Sequence, residues 1–301
     1  MTHYQLVNKN KRRSFIIMLL FVLFITGASY LMAEGFDYPL SFVGYAFVFS
    51  GLTSLASYFF SDKIVLSLSG ARPANRQQHF DFYTVAENLA HSQRLPVPKL
   101  YVIEDKAMNA FATGRDPQHA VICVTTGLLE HLNRSEIEGV VAHELAHVKN
   151  YDMLLMSVVS VLVGLLSLLA DWLLRVRRPK SRDQKENSSQ LDLIISLLAV
   201  VLALLSPLIA QLIQLAISRN REFLADASSA SFTKNPEGLA RALLKIDQDS
   251  QPLIHANKAT AHLYIADPLK NSKGAVATFK NLFQTHPPIA DRVAALRAIS
   301  Q

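Results

Sequence analysis

Cysteine is almost missing: Cys123 is the single thiol in 301 residues, so the chain forms no internal disulfide. That usage suits a soluble part facing a reducing compartment, and the alternating run "AVICVTTG" predicts a buried structural thiol. Charge is scarce too, at 18% of residues, and the stretches 14–33, 38–61, 153–170 and 193–218 carry none. Each is long enough to cross a bilayer, which excludes a wholly soluble protein. Mean hydropathy of +0.20 agrees. The first stretch, behind "KNKRRS", is too long for a signal peptide, and another follows at once. No internal repeat and no long low-complexity segment is present, which excludes a repeat array. The net charge of +6 gathers in "KNKRR", "RVRRPKSR" and "SRNR", beside the apolar stretches and without interleaved aromatics. Such clusters fit anionic lipid headgroups and exclude nucleic acid as a partner.

What is there divides the chain into four parts. Residues 1–61 form an N-terminal transmembrane hairpin, because "EGFDYP" between the first two stretches allows only a tight turn. Residues 62–152 have the composition of a globular domain, with an amphipathic helix near 80–92 and strands at "KLYVIED", "NAFATG" and "AVICVTTG". A helix over "RSEIEGVVAHELAHVKN", capped by Asn133 or Ser135, is expected to run on intact into the third apolar stretch. Residues 153–218 make a second transmembrane hairpin, and 219–301 return to soluble helical sequence. The fold class is therefore α+β, mostly helical, with a small sheet. Ser157, Ser160, Gly164 and Ser167 share one face of the third stretch, as Ser196, Ala199, Ala203, Ser206 and Ala210 do in the fourth. Small residues so spaced predict that these two helices pack on each other. Strand "AVICVTTG" is a candidate for pairing with an extended substrate, core packing being the alternative.

Topology is in tension with charge. The basic N-terminus puts both ends of the first hairpin in the cytoplasm. A spanning second hairpin then places Arg175, Arg177, Arg178, Lys180, Arg182 and Lys185 outside, against the positive-inside rule.

"HELAH" sets His143 and His147 four residues apart, on one face of a helix, where two neutral imidazoles can share a tetrahedral metal. Glu144 lies beside them, within reach of an open coordination position, and suits a general base. A catalytic zinc site needs a third ligand, and "SRNREFLADASSA" supplies Glu222, with Asp226 one turn on to hold a ligand histidine. If 153–218 is an antiparallel hairpin, it returns Glu222 to the membrane surface at which His147 left it. The site then closes as the hairpin closes.

"MNAFATG", "VVAHELAHVKNYD", "SRNREFLADASSA" and "LFQTHPPIADRVAAL", in this order, resemble HtpX-type membrane zinc proteases, relatives of the CAAX prenyl endopeptidases. The resemblance runs from the first apolar stretch nearly to the end. It implies an integral membrane, gluzincin-like metalloprotease domain with two transmembrane helical hairpins, holding one Zn2+ per chain. It also implies a bacterial inner membrane, an active site facing the cytoplasm, and membrane or misfolded protein substrates under stress. On it, His143, His147 and Glu222 are zinc ligands and Glu144 the base. His286 of "THPP" and Arg292 become catalytic candidates that hold substrate or stabilise the oxyanion, and Asn109 a substrate-binding residue. His286 before Pro287 and Pro288 sits in a rigid turn that suits a fixed donor, although alone it is equally an ordinary loop histidine. Arg292 is equally a surface charge on the last helix, and Asn109 a turn residue. The other histidines, at 3, 79, 91, 119, 131, 255 and 262, have no paired spacing and are expected to be structural or solvent-facing. Prenyl-protein processing and an inert membrane scaffold with a structural metal stay open as alternatives, as does an oligomer. Glu144 and an open ligand position argue against the scaffold, since a structural site needs neither.

Overall fold

Helix α1 (His3–Phe36) and helix α2 (Ser41–Leu68) are the two long apolar elements at the N-terminus. The computed structural model describes residues 3–36, 38–176, 219–254, 260–268 and 287–299. Among these, Gln5–Leu31 and Ser41–Leu68 are long and apolar enough to cross a membrane. Their outer faces are bare hydrocarbon: Phe15, Leu19 and Leu23 on α1, and Tyr45, Phe49, Leu52 and Phe60 on α2 are all exposed. Lipid is the solvent such faces require. The inner side of α2 carries Ser50, Ser54, Ser57 and Ser61, all buried. Ser50 and Ser57 donate to carbonyls of their own helix at 3.0 and 2.7 Å, which lets the neighbouring backbones close in.

The helix of the HELAH motif does not run on into the membrane. Helix α5 (Arg134–Lys149) ends at Asn150, and α6 (Asp152–Val176) leaves at 84° to it. Tyr151 makes the corner in a left-handed conformation, φ 59°, with the Lys11 ammonium 4.4 Å above its ring. The break corrects the expected intact helix, and its cause is that non-glycine corner, which swings Asp152 back under the motif. The third apolar stretch is also not bare to lipid. Residues 152–164 are all buried, and Leu154, Leu155, Val158 and Val159 pack on Ile17 and Phe21 of α1. Its small-residue face meets the soluble domain: Ser157 pairs with the Thr113 hydroxyl at 2.8 Å, and Ser160 lies 3.1 Å from His262. The fourth apolar stretch, and hence its packing on the third, lies outside the described residues.

The sheet has the order β1 (Arg72–Pro73), β2 (Lys99–Ile103), β4 (Val121–Thr125), β3 (Ala110–Thr113). β2 runs parallel to β4, and β3 antiparallel to it, so Cys123 stands opposite both Tyr101 and Phe111. Cys123 is fully buried. β4, the "AVICVTTG" strand, thus has both edges taken and cannot add a substrate strand; among the described residues β1 and β3 are the edge strands.

Helix α3 (Phe80–Ser92) and a short α4 (Thr126–His131) flank the sheet. Helices α7 (Arg219–Thr233) and α8 (Pro236–Gln248) pack on α5, and α9 (Ile289–Ile299) packs on α8 and α7. One core holds Phe82 of α3, Val141 and Leu145 of α5, Ala230 of α7, Leu239 and Leu243 of α8, and Leu296 of α9. Two local features fix α5 in it. Asn133 and Glu136 form a reciprocal capping box, and Lys245 of α8 reaches Glu136 at 2.7 Å. Gly139 lets α8 come so near that a methyl group there would meet the Leu239 nitrogen at 2.5 Å.

Candidate active site

α5 presents His143 and His147 one turn apart on the face that meets α7, and α7 presents Glu222 to both. The two Nε2 atoms are 3.2 Å apart. Glu222 carboxylate oxygens lie 3.7 Å from Nε2 of His143 and 3.5 Å from Nε2 of His147. One atom from each residue falls within 4.8 Å of the others, and all three residues are buried. Bonds of about 2.0–2.1 Å in a tetrahedron set neighbouring ligand atoms about 3.4 Å apart. The two Nε2 atoms lie close to that edge, and each Glu222 oxygen faces one of the imidazoles at a slightly longer distance.

The far side of each imidazole is held by a carboxylate. His143 donates its Nδ1–H to Asp226 Oδ1 at 2.9 Å, and His147 donates its Nδ1–H to Asp152 Oδ2 at 3.2 Å. A carboxylate accepts only, so both rings must keep the proton on Nδ1 and turn a bare Nε2 to the centre. Asp152 escaped the sequence reading. Its signal was an acid opening a new helix just after the cap "KN", five residues past His147.

Arg292 is wholly buried on α9, so it is no surface charge. Its Nε and Nη2 donate to the two oxygens of Asp226 at 2.8 and 2.7 Å, and Nη1 donates to the Ile265 carbonyl at 3.0 Å. The guanidinium holds Asp226 behind His143, and it also reaches the front of the site, with Nη2 3.5 Å from His143 Nε2 and Nη1 3.7 Å from Glu222 Oε2. Asn109 is buried as well: Nδ2 donates to the Ala266 carbonyl at 3.0 Å, and Oδ1 accepts from the Ala110 N–H at 3.1 Å. Its side chain ties β3 to the segment at 266, and the residue also lines a small pocket with Met108, Asp249 and Ala266. His286 lies outside the described residues.

Burial pushes the Glu144 carboxyl up to about 7, Glu222 adds to the rise, and His147, Arg292 and the Ala112 N–H hold it back. Burial takes His143 down to about 4 against the pull of Asp226. Burial would lower His147 also, but the Asp152 hydrogen bond and the Glu222 charge outweigh it and lift the imidazole to about 9. Glu144, Asp152, Glu222 and Asp226 together face the guanidinia of Arg221 and Arg292. Once Glu144 is ionised and His147 has given up its second proton to an incoming metal, two negative charges are in surplus in a buried site, which one divalent cation balances. Ligand geometry, tautomers and charge all fit a metal such as zinc.

Residues 76–300 match peptidase family M48. A protease HtpX homolog of Dictyoglomus turgidum is 40% identical over 302 residues, spanning 100% of this chain and 96% of its own. One from Thermoanaerobacter pseudethanolicus is 38% identical over 99% of this chain and 98% of its own. One from Streptococcus gordonii is 39% identical over 98% and 99%. The crystal structure of S. mikatae Ste24p aligns with TM-score 0.48 at 20% identity, over 97% of this chain and 67% of that one.

Proposed function

The chain belongs to peptidase family M48 as an HtpX-type membrane metalloprotease, and on that premise we propose a zinc-dependent endopeptidase. Its substrates are membrane or misfolded proteins, cut at the cytoplasmic face of a bacterial inner membrane during quality control under stress. The observation that carries the chemistry is the convergence of His143, His147 and Glu222 from two helices, with Glu144 buried beside them. The organisation that goes with it is the four-part division at 61, 152 and 218, with the catalytic domain split around the second hairpin.

His143, His147 and Glu222 would hold the zinc, which when bound would supply a Lewis acid able to polarise a carbonyl and acidify water. Glu144 takes a proton from the attacking water and hands it to the leaving amine, a task for which a carboxyl poised near 7 is matched. Asp226 and Asp152 keep the ligand imidazoles in the useful tautomer, and Arg292 braces Asp226. His286 is the proposed donor to the developing oxyanion. An extended substrate pairs with the outer edge of β3, where the Ile265 N–H already occupies the Ala110 carbonyl and the Ala112 N–H faces Glu144. Pairing there brings a peptide bond to the base.

The cytoplasmic assignment is supported by a contact across the chain: Asn10, in the basic start of α1, hydrogen-bonds Asp152 at 2.7 Å. The site and the cluster "KNKRR" therefore share one side of the membrane, and that cluster belongs inside.

The test is zinc content and casein cleavage of the purified protein against Glu144→Gln. The variant is expected to keep zinc and lose cleavage. Equal cleavage by both sinks the mechanism. For orientation, Ser228→Cys in a Cys123→Ser background should resist a membrane-impermeant maleimide in intact cells and react after lysis. Labelling in intact cells inverts the topology.

A further inference from the structure

Asn10 is 2% exposed at the start of a membrane helix, where an amide has no lipid-facing use. Its Nδ2 donates to Asp152 Oδ1 at 2.7 Å and to the Asn150 carbonyl at 3.0 Å. Its Oδ1 accepts from Nη1 of Arg221 at 3.4 Å, and that guanidinium also lies 3.5 Å from Asp152 Oδ1. The other oxygen of Asp152 takes the Nδ1–H of His147. Three distant segments thus meet on one carboxylate: the start of α1, the corner between α5 and α6, and the start of α7, next to Glu222.

The amide can stand only one way round. Turned over, its oxygen would face a carboxylate and a carbonyl, and its NH2 a guanidinium, so both sides would repel. An aspartate of the same shape would press a second negative charge on Asp152, and alanine would leave Asp152 Oδ1 to Arg221 alone. Neighbouring side chains of α1 serve the same corner: Lys11 covers the Tyr151 ring, and the buried Ser14 hydroxyl donates to the Asn10 carbonyl at 3.0 Å.

We propose that Asn10 is a positioning residue of the metal site, holding Asp152 so that Asp152 holds His147. The first membrane helix is then part of the catalytic apparatus as well as its anchor. This rests on the metal-site reading above.

The experiment uses the full chain in detergent and measures zinc affinity by chelator competition, with thermal unfolding alongside. Outer partners of a ligand histidine are worth roughly ten- to a hundredfold in metal affinity. Asp152→Ala should fall in that range, and Asn10→Ala should weaken zinc by roughly tenfold. In the Asp152→Ala background, Asn10→Ala should add nothing, because its route is gone. Asn10→Asp, which keeps the shape, should lose at least as much as Asn10→Ala and stands in for it if alanine fails to fold. Leu19→Ala, on the exposed face of the same helix, should leave zinc affinity unchanged. Wild-type affinity in Asn10→Ala and Asn10→Asp overturns the proposal, as do additive losses in the double variant, which would make Asn10 a docking contact only. Failure of the unaltered chain to bind zinc, or full cleavage by Glu144→Gln, strikes the metalloprotease mechanism instead, so the two failures are told apart.

Discussion

Asp226 grips Arg292 with both carboxylate oxygens, at 2.7 and 2.8 Å, while it accepts the Nδ1–H of His143 at 2.9 Å. The guanidinium therefore bears on the metal site through Asp226 as well as through its own approach to Glu222 at 3.7 Å. Arg292→Ala should loosen zinc by roughly tenfold and lower turnover through that loss, with KM for peptide unchanged once zinc is saturating. A transition-state donor would behave otherwise, keeping zinc affinity while kcat falls. Titrating zinc into both proteins distinguishes them.

Glu144→Gln preserves shape and removes the proton acceptor. Zinc content should stay at one per chain, and peptide hydrolysis should drop by roughly a hundred- to ten-thousandfold. Single-turnover cleavage of a fluorogenic peptide is the measurement, and a loss under fivefold would reassign the base.

His147→Ala and Glu222→Ala each leave two protein ligands, too few to keep zinc against a chelator. Metal analysis after dialysis should find these proteins empty. Full zinc occupancy in an inactive Glu222→Ala would hand the third ligand position to another residue.

His147, lifted to about 9, carries a proton at neutral pH that metal must displace, whereas His143, lowered to about 4, has none to lose. Apparent zinc affinity should therefore rise with pH, by roughly tenfold per unit below about 9, and zinc uptake should acidify a weakly buffered solution. Affinity that does not change between about pH 6.5 and 8 would contradict the protonated imidazole.

At Gly139 an added methyl would strike backbone atoms of α8 at 2.5 and 2.7 Å, which no rotamer change relieves. Gly139→Ala should destabilise the soluble domain by about 1–3 kcal/mol or more, read as a lower unfolding temperature. An unchanged transition would mean that α8 yields at little cost.

Local relations were legible, and relations across the chain were not. The four-residue step from His143 to His147, and from Glu222 to Asp226, is set by helix period, so one face follows from spacing. The α3 helix at Phe80–Ser92 and the strand segments likewise announce themselves through alternation and turn residues. Asp152 could not be paired with His147 beforehand, because the pairing depends on a left-handed Tyr151, and that conformation in a tyrosine has no compositional mark. The edge position of β3 was hidden for a different reason. Both β3 and β4 are buried throughout, and an apolar run says nothing of its neighbours' order. Ser157 and Ser160 were less legible, because small residues show only that something comes close; among the described residues it is Thr113 and His262.

Glu222 arrives on α7, after the apolar stretches 153–170 and 193–218, although its partners stand on α5. During synthesis, a chain that has emerged only through α6 owns two imidazoles and a base but lacks the carboxylate that completes the metal's grip. The ribosome therefore releases no half-made protease. Cutting power begins only when residues 177–218 have been made and α7 has docked, by which time α1 and α2 have long since left the ribosome.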